Sequence, residues 1–425
     1  MSIQFKSFLL RVLFPSYYDE YSNLNAEVEK IYTYSQEVIK NYKEMDERYR
    51  ELIREYQVLD QRSISLSDLH NDLVDEEWGD KKRLMQFVCS RPFERISVYP
   101  DGSIYTCPIA GVKFRHNIGN IFTDKFETVW NSKNACRLRL GVSKGNFEYC
   151  NRHCKEITGS GNLNGENGLQ QRDEFYLSIN SIDDCVLSNG PKKINLYLDE
   201  SCNLHCPSCR KLPYVANKTE TDRIFQLLDE KIAPLLPECE ILTLLITGDF
   251  FSSNATKKFV RKHINHEQYP KLRLFLMTNA QLLNEKTWSG FPNLKDVPID
   301  LSISIDAASR ETYEKLRRGG KWEILINNLD YILTLKRKGQ FRLIRFNFLV
   351  QKDNCGEIVE FAEMARRYCV DEVWYQRLSN WGTYNEKEFE TLDVLNPAHP
   401  QFNSTVELLN LLQSSTQDLV IKISF

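Results

Sequence analysis

The sequence predicts an α/β protein with a parallel sheet or barrel at its core, preceded by a small cysteine-bearing segment and one long N-terminal helix. Three observations carry this. Beyond Pro191, apolar runs of strand length alternate with helical patterns, and strand and helix in strict turn imply parallel strands joined by crossover helices. Seven of the twelve cysteines fall into two tight groups. From Leu24 to Leu59 a stripe of residues recurs at spacings of three and four.

That stripe runs through Leu24, Val28, Ile31, Ser35, Val38, Tyr42, Met45, Tyr49, Leu52, Tyr56 and Leu59. A 3.5-residue period with polar positions between is the pattern of a coiled-coil seam, and one long amphipathic helix packed on its own domain is the plainer alternative. Ile3 to Phe14 reads as a short amphipathic helix with Lys6 and Arg11 on its polar side, ended by Pro15. It suits a membrane surface or a protein partner equally. A cysteine-bearing segment follows, then the polar run Gly159 to Gly168, the best linker in the chain. The expected division is therefore 1–65 amphipathic start and coiled coil, 66–158 cysteine module, 159–190 linker, 191–385 strand–helix domain and 386–425 tail.

In the strand–helix domain six strands are expected: Lys193 to Asp199, Ile241 to Thr247, Leu272 to Thr278, Asp300 to Asp306, Leu343 to Gln351 and Asp371 to Leu378. Helices fall between them at Thr221 to Lys231, Ser253 to His266, Arg310 to Leu316, Trp322 to Lys336 and Glu357 to Tyr368. Six repeats fall short of a closed eight-strand barrel. Chemistry in such folds sits at the carboxyl ends of the strands.

Charge and composition exclude several classes. Lys and Arg number 55 against 58 Asp and Glu, which gives no general pull toward nucleic acid. The pairs Lys257-Lys258, Arg261-Lys262 and Arg317-Arg318 read as solvated helix faces. No apolar run reaches the length of a membrane span. Cysteines this sparse do not make a disulfide scaffold, and their grouping suggests metal ligands in a reducing compartment. A cytoplasmic location follows, with peripheral membrane contact through the amphipathic start as the open variant.

Directly after the first strand stands Asp199-Glu200-Ser201-Cys202-Asn203-Leu204-His205-Cys206-Pro207-Ser208-Cys209-Arg210. Structural zinc usually takes four ligands in separated pairs, so three thiolates from one short loop leave a metal position open. A [4Fe–4S] cluster fits, with three irons held by thiolates and the fourth free for a substrate or cofactor. Cys202, Cys206 and Cys209 are the candidate ligands.

With this CxxxCxxC after the first strand, the chain resembles the radical S-adenosylmethionine superfamily over about Lys193 to Leu378. The resemblance implies a six-stranded (β/α)6 partial TIM barrel. It also implies S-adenosylmethionine chelated at the free iron, and its reductive cleavage to a 5′-deoxyadenosyl radical that abstracts hydrogen from a substrate. Further positions match in order. Thr247-Gly248-Asp249-Phe250 resembles the family's Gly-Gly-Glu-Pro turn, with Gly248 for close backbone approach and Asp249 as acceptor for the methionine ammonium. The first Gly and the Pro are missing, and Ser208 stands where the family usually has an aromatic residue. Thr278-Asn279-Ala280 follows the third strand, and Ser302 to Ala307 resembles the ribose-binding strand. Period-two alternation puts Ser304 and Asp306 on one face, although such a pair taken alone is more often plain strand patterning. Tyr313 to Trp322 is of a kind seen next in the family, and Asn347 and Gln351 are weaker cofactor candidates.

The earlier group comprises Cys89, Cys107, Cys150 and Cys154, with Asp101-Gly102 as a hairpin turn, Ile118-Gly119-Asn120-Ile121 and Trp130-Asn131-Ser132. Spacing alone leaves zinc and an iron–sulfur cluster about equal. The pattern resembles the SPASM or shorter twitch auxiliary-cluster module, which implies one auxiliary [4Fe–4S] cluster on these four cysteines. The family places that module after the barrel, whereas here it precedes it. His153 and His205 read as loop packing or thiolate hydrogen-bond partners. Cys136, Cys185, Cys239, Cys355 and Cys369 read mostly as inert core residues, with Cys185 the one suspected spare ligand.

The expected function is a radical enzyme acting on a peptide, a protein or a glycan-related small molecule. An electron donor such as flavodoxin or ferredoxin, and a homodimer through the coiled coil, complete the expected partners. A non-catalytic, metal-stabilised coiled-coil interaction protein is the alternative.

Overall fold

Short apolar strands form the centre of the molecule, because a parallel sheet buries both of its faces. The computed structural model describes residues 87–107, 117–150, 176, 178–244, 247–380, 383–415 and 419–424, all within the unit Asp80–Phe425. The coiled-coil stretch, the amphipathic start, the polar run 159–168, His153, Cys154, Trp381 and Gly382 lie outside the described residues.

Among the described residues ten strands make one sheet: β1 Arg95–Val98, β2 Ser103–Tyr105, β3 Gly119–Asn120, β4 Lys193–Leu196, β5 Ile241–Leu244, β6 Arg273–Thr278, β7 Ile299–Ser304, β8 Leu343–Val350, β9 Glu372–Arg377 and β10 Val420–Ser424. Their order is β10-β9-β8-β7-β6-β5-β4-β1-β2-β3. The six expected strands are β4 to β9, side by side in chain order and all parallel. Two further parallel strands flank them. β10 lies on β9 with Ile421 opposite Val373, and β1 lies on β4 with Ile96 opposite Ile194. The expected tail thus contributes a strand, along with helices Glu386–Leu392 and Phe402–Ser415.

Burial explains the strand choice. Five of the six residues of β7 are buried, and β6 alternates half-buried with buried along its length. The crossover helices are α1 Lys218–Leu227, α2 Asn254–His263, α3 Arg310–Leu316, α4 Trp322–Arg337 and α5 Ile358–Arg367. Three begin on a side-chain cap: Asn217 accepts from Glu220 N, Ser253 from Thr256 N and Ser309 from Thr312 N. These caps fix where each helix starts, and so the length of the loop that leaves the strand before it.

The hairpin β1–β2 turns where expected. Gly102 has φ +82, and a Cβ there would come within 2.3 Å of the Phe122 ring, so only glycine fits. The Ile118 to Ile121 segment supplies β3, paired on β2, and Ser132 caps helix α6 Lys133–Ser143 by accepting from Ala135 N at 3.2 Å.

Candidate functional site

The triad loop leaves the carboxyl end of β4 and is tied down along its length. Asp199 Oδ1 accepts from Ser201 N at 2.8 Å, and Ser201 Oγ accepts from Ala216 N at 2.9 Å. Cys202 forms an isolated bridge with Tyr214, its N–H donating to Tyr214 O at 2.6 Å. Cys206 and Cys209 close one turn, with Cys209 N and Arg210 N both donating to Cys206 O at 2.9 and 3.0 Å. None of the three cysteines is in a disulfide.

Each sulfur receives an N–H donor. Cys202 Sγ accepts from Leu204 N at 3.5 Å and Asn279 Nδ2 at 3.6 Å. Cys206 Sγ accepts from Arg317 Nη1 at 3.7 Å, and Cys209 Sγ from Arg210 Nε at 3.5 Å. Donors aimed at sulfur favour the thiolate, the form that binds metal. Opposing this, burial pushes the Cys202 thiol up to about 11, with Asp249 adding to the rise. The Cys206 thiol is likewise raised by burial, against the pull of Arg317. Metal binding must therefore displace protons here. Three thiolates from one short loop, none in a disulfide and each met by an N–H donor, are a donor set that fits an iron–sulfur group.

The loop after β5 lies against this one. A Cβ on Gly248 would stand 2.6 Å from Ser201 O and 2.9 Å from Asp199 O, so the close approach expected of this glycine is present, toward the triad loop itself. Gly248→Ala is expected to push the two loops apart and cost about 1–3 kcal/mol, with weakened iron retention. A thermal melt together with an iron assay checks it, and unchanged values for both would refute the contact.

Asp249 is corrected. Its carboxylate is buried, and Oδ1 accepts from Phe251 N and Ser252 N at 2.9 and 3.3 Å, while Oδ2 accepts from Thr278 Oγ1 and Asn279 N at 2.8 and 2.7 Å. Four donors fill it, leaving no acceptor for an ammonium; it pins the loop after β5 to the end of β6. The pairing of Ser304 with Asp306 on one strand face is also corrected, because β7 ends at Ser304 and Asp306 takes a left-handed φ of +64. The Asp306 carboxylate pairs with Arg317 Nη2 at 2.7 Å and accepts from Leu349 N at 2.8 Å.

Asn279 stands where the sequence places it and reaches the triad through Cys202 Sγ and Asn203 Oδ1, the latter at 3.0 Å. Asn347 donates to Ser302 Oγ at 2.7 Å within the core, and Gln351 is buried against Asn354. Asn347 thus ties β8 to β7, and Gln351 lies just past the end of β8. Sequence reasoning missed Arg210 and Arg317 as sulfur donors, and Asn203, whose N–H and Oδ1 both bond to Ser252 Oγ at 3.1 and 3.0 Å. It left Tyr384 only as part of an unassigned tail. That phenol is raised by burial and counts Arg318, Asp353 and Cys206 among its electrostatic neighbours. Asn380 holds the segment by donating to Tyr384 O at 2.9 Å.

The second cysteine group leaves the sheet at its other end. Cys107 follows β2 by two residues on the side where β1 begins, and Cys89 precedes β1. Tyr176 clamps Cys89 by accepting from its N–H at 3.0 Å and donating to its carbonyl at 3.1 Å. The Phe87 and Phe147 rings, 5.8 Å apart, bring Cys89 toward Cys150, whose N–H donates to Phe147 O. Cys154 lies outside the described residues. Of the other cysteines, Cys136, Cys185 and Cys239 are buried, Cys355 is half-buried and Cys369 exposed.

Residues 89–155 match the SPASM family, an iron–sulfur cluster-binding domain. The matched residues precede β4, and β1 lies within them. No curated protein matches the chain. Among solved structures, Streptococcus suis SuiB bound to S-adenosylmethionine is similar at 13% identity and a TM-score of 0.40, over 72% of this chain and 68% of that one. The same protein bound to precursor peptide SuiA gives 13% and 0.40, over 71% and 68%. A radical SAM methyltransferase from Sphaerobacter thermophilus gives 11% and 0.34, over 53% and 64%.

Proposed function

We propose that this chain is a radical S-adenosylmethionine enzyme with one auxiliary iron–sulfur cluster. The observation that carries the reading is the open triad Cys202, Cys206 and Cys209 at the carboxyl end of β4, the first of the six parallel strands that the sequence predicts, each sulfur facing an N–H donor. Curvature of those strands into a partial barrel would set the loops after β4, β5, β6 and β7 around one mouth. A [4Fe–4S] cluster held by Cys202, Cys206 and Cys209 would supply the electron for reductive cleavage of S-adenosylmethionine, and so the hydrogen-abstracting chemistry. The chain's own part is to hold three thiolates and leave a metal position open. Asn279, at the end of β6, donates to the Cys202 sulfur, and Gly248 keeps the β5 loop close.

Cys89, Cys107, Cys150 and Cys154 would hold the auxiliary cluster. Cys89 and Cys107 flank the amino end of β1 while the triad follows the carboxyl end of β4, which favours accepting or relaying an electron over binding substrate. The substrate class we favour is a peptide, as in the precursor-bound neighbour, with a glycan-related small molecule second. A flavodoxin or ferredoxin would supply electrons. A homodimer through the coiled coil and a cytoplasmic site of action, with peripheral membrane contact through the amphipathic start, complete the reading.

The test is anaerobic purification, reconstitution with iron and sulfide, and measurement of 5′-deoxyadenosine released from S-adenosylmethionine under a strong reductant. Cleavage with iron for about two [4Fe–4S] clusters per chain is expected. Zinc in place of iron, with no cleavage, would sink the reading in favour of a coiled-coil protein with structural metal sites.

A further inference from the structure

Arg317 and Asp306 form a charge pair pressed against the triad. The two side chains are 11% and 3% exposed and meet at 2.7 Å through Nη2 and Oδ2. Nη1 donates to Cys206 Sγ at 3.7 Å, and the buried Nε has no hydrogen-bond partner. The guanidinium is held in place from several sides. Asp306 is fixed by Leu349 N at 2.8 Å and by Asn354 Nδ2 on its carbonyl at 2.9 Å. Arg317 N donates to Tyr313 O at 2.7 Å, and Arg318 O accepts from His205 N, inside the triad loop, at 3.0 Å. Gly319, at φ +89, lets the chain turn there; a Cβ on it would stand 3.3 Å from His205 Nδ1.

We propose that Arg317, oriented by Asp306, is a positioning residue that sets the charge on the Cys206 sulfur and with it the reduction potential of the triad's iron–sulfur group. The proposal rests on the triad being a cluster site. A cation donating to a ligating sulfur stabilises the more negative, reduced state and raises the potential; the adjacent carboxylate opposes it. Removing each partner therefore moves the potential in opposite directions, which a packing role would not do.

The test is an EPR-monitored redox titration of the reconstituted protein, with iron counted per chain, in wild type, Arg317→Gln, Arg317→Lys and Asp306→Asn. In Arg317→Gln the ratio of reduced to oxidised cluster at fixed poise should fall about tenfold, about 59 mV for a one-electron couple. Asp306→Asn should shift it the other way, and Arg317→Lys should lie between Arg317→Gln and wild type. Should a single variant leave a buried charge that unfolds the chain, the double variant Asp306→Asn with Arg317→Gln carries no unpaired ion and should still titrate below wild type. Shifts in the same direction, wild-type potentials throughout, or loss of iron from every variant while wild type keeps it would overturn the proposal. Failure of wild type to take up iron at the triad would instead overturn the reading beneath it.

Discussion

Cys206→Ala should abolish release of 5′-deoxyadenosine while leaving a folded chain. The thiol is buried, and its loss removes about one methylene's worth of packing, near 1 kcal/mol. Arg317 Nη1 loses the sulfur it donates to, adding roughly another 1 kcal/mol. A sheet built on ten strands tolerates that. Cys202 and Cys209 cannot hold a three-thiolate site alone, so iron should fall to the share of the auxiliary group and cleavage to background. Iron counting, product release and a thermal melt on one preparation read all three. A structural metal would behave in the opposite way, with a collapse in melting temperature and solubility. Wild-type cleavage by the variant would remove Cys206 from the chemistry.

The parallel core was legible because its strands are buried runs, such as Ile299–Ser304 and Leu343–Val350, bounded by cap residues like Ser253 and Ser309 that accept the N–H three residues on. Those signals are local, so a single sequence displays them. Boundaries slipped where apolar character outlasts pairing. β4 stops at Leu196, its last residue paired with β5, although Tyr197 and Leu198 continue the pattern and Tyr197 N still donates to Val98 O at 2.8 Å. Of the two extra parallel strands, Val420–Ser424 was not legible, because it is a short edge segment with polar members that its pairing with β9 makes a strand. For Arg95–Val98 the hairpin with β2 could be read from its turn, and the parallel pairing with β4 could not.

At the candidate site the ligands could be read and their surroundings could not. Cys202, Cys206 and Cys209 announce themselves by spacing, whereas the donors to their sulfurs come from Asn279, Arg210 and Arg317, two of them far away in sequence. The expectation for Asp249 failed for the same reason. An acidic residue in a turn looks available until the four donors that fill it are seen, two of them from the end of β6. Alternation misplaced Asp306 because one left-handed residue cancels strand periodicity.

Arg139→Met should be the most destabilising single substitution in the cysteine module. In the sequence Lys133 to Ser143 this arginine looks like any solvent-facing helix residue, yet it is 0% exposed. Nε donates to Pro92 O at 2.9 Å, Nη1 to Cys185 O at 2.9 Å and Asn131 Oδ1 at 3.1 Å, and Nη2 to Trp130 O at 2.8 Å. The guanidinium also lies 4.4 Å from the Trp130 ring centroid. Among the described residues no carboxylate pairs with it, and burial draws its pKa down to about 10, so it is still charged at neutral pH. One side chain thus ties α6 to the segment before β1, to the Trp130-Asn131 turn and to the stretch around Cys185 that leads into β4. Methionine fills much of the volume but leaves the carbonyls of Pro92, Trp130 and Cys185 without their guanidinium donor, while Asn131 Oδ1 keeps Leu187 N at 2.9 Å. At about 1–3 kcal/mol for each unsatisfied buried group, partly relieved by water, the loss should be on the order of 3–5 kcal/mol. Arg139→Lys should recover only part of it, since one ammonium cannot span four acceptors set around a planar fork. Urea unfolding of the metal-free protein measures this directly, and a loss below about 1 kcal/mol for Arg139→Met would mean that water replaces the guanidinium and the tie is dispensable.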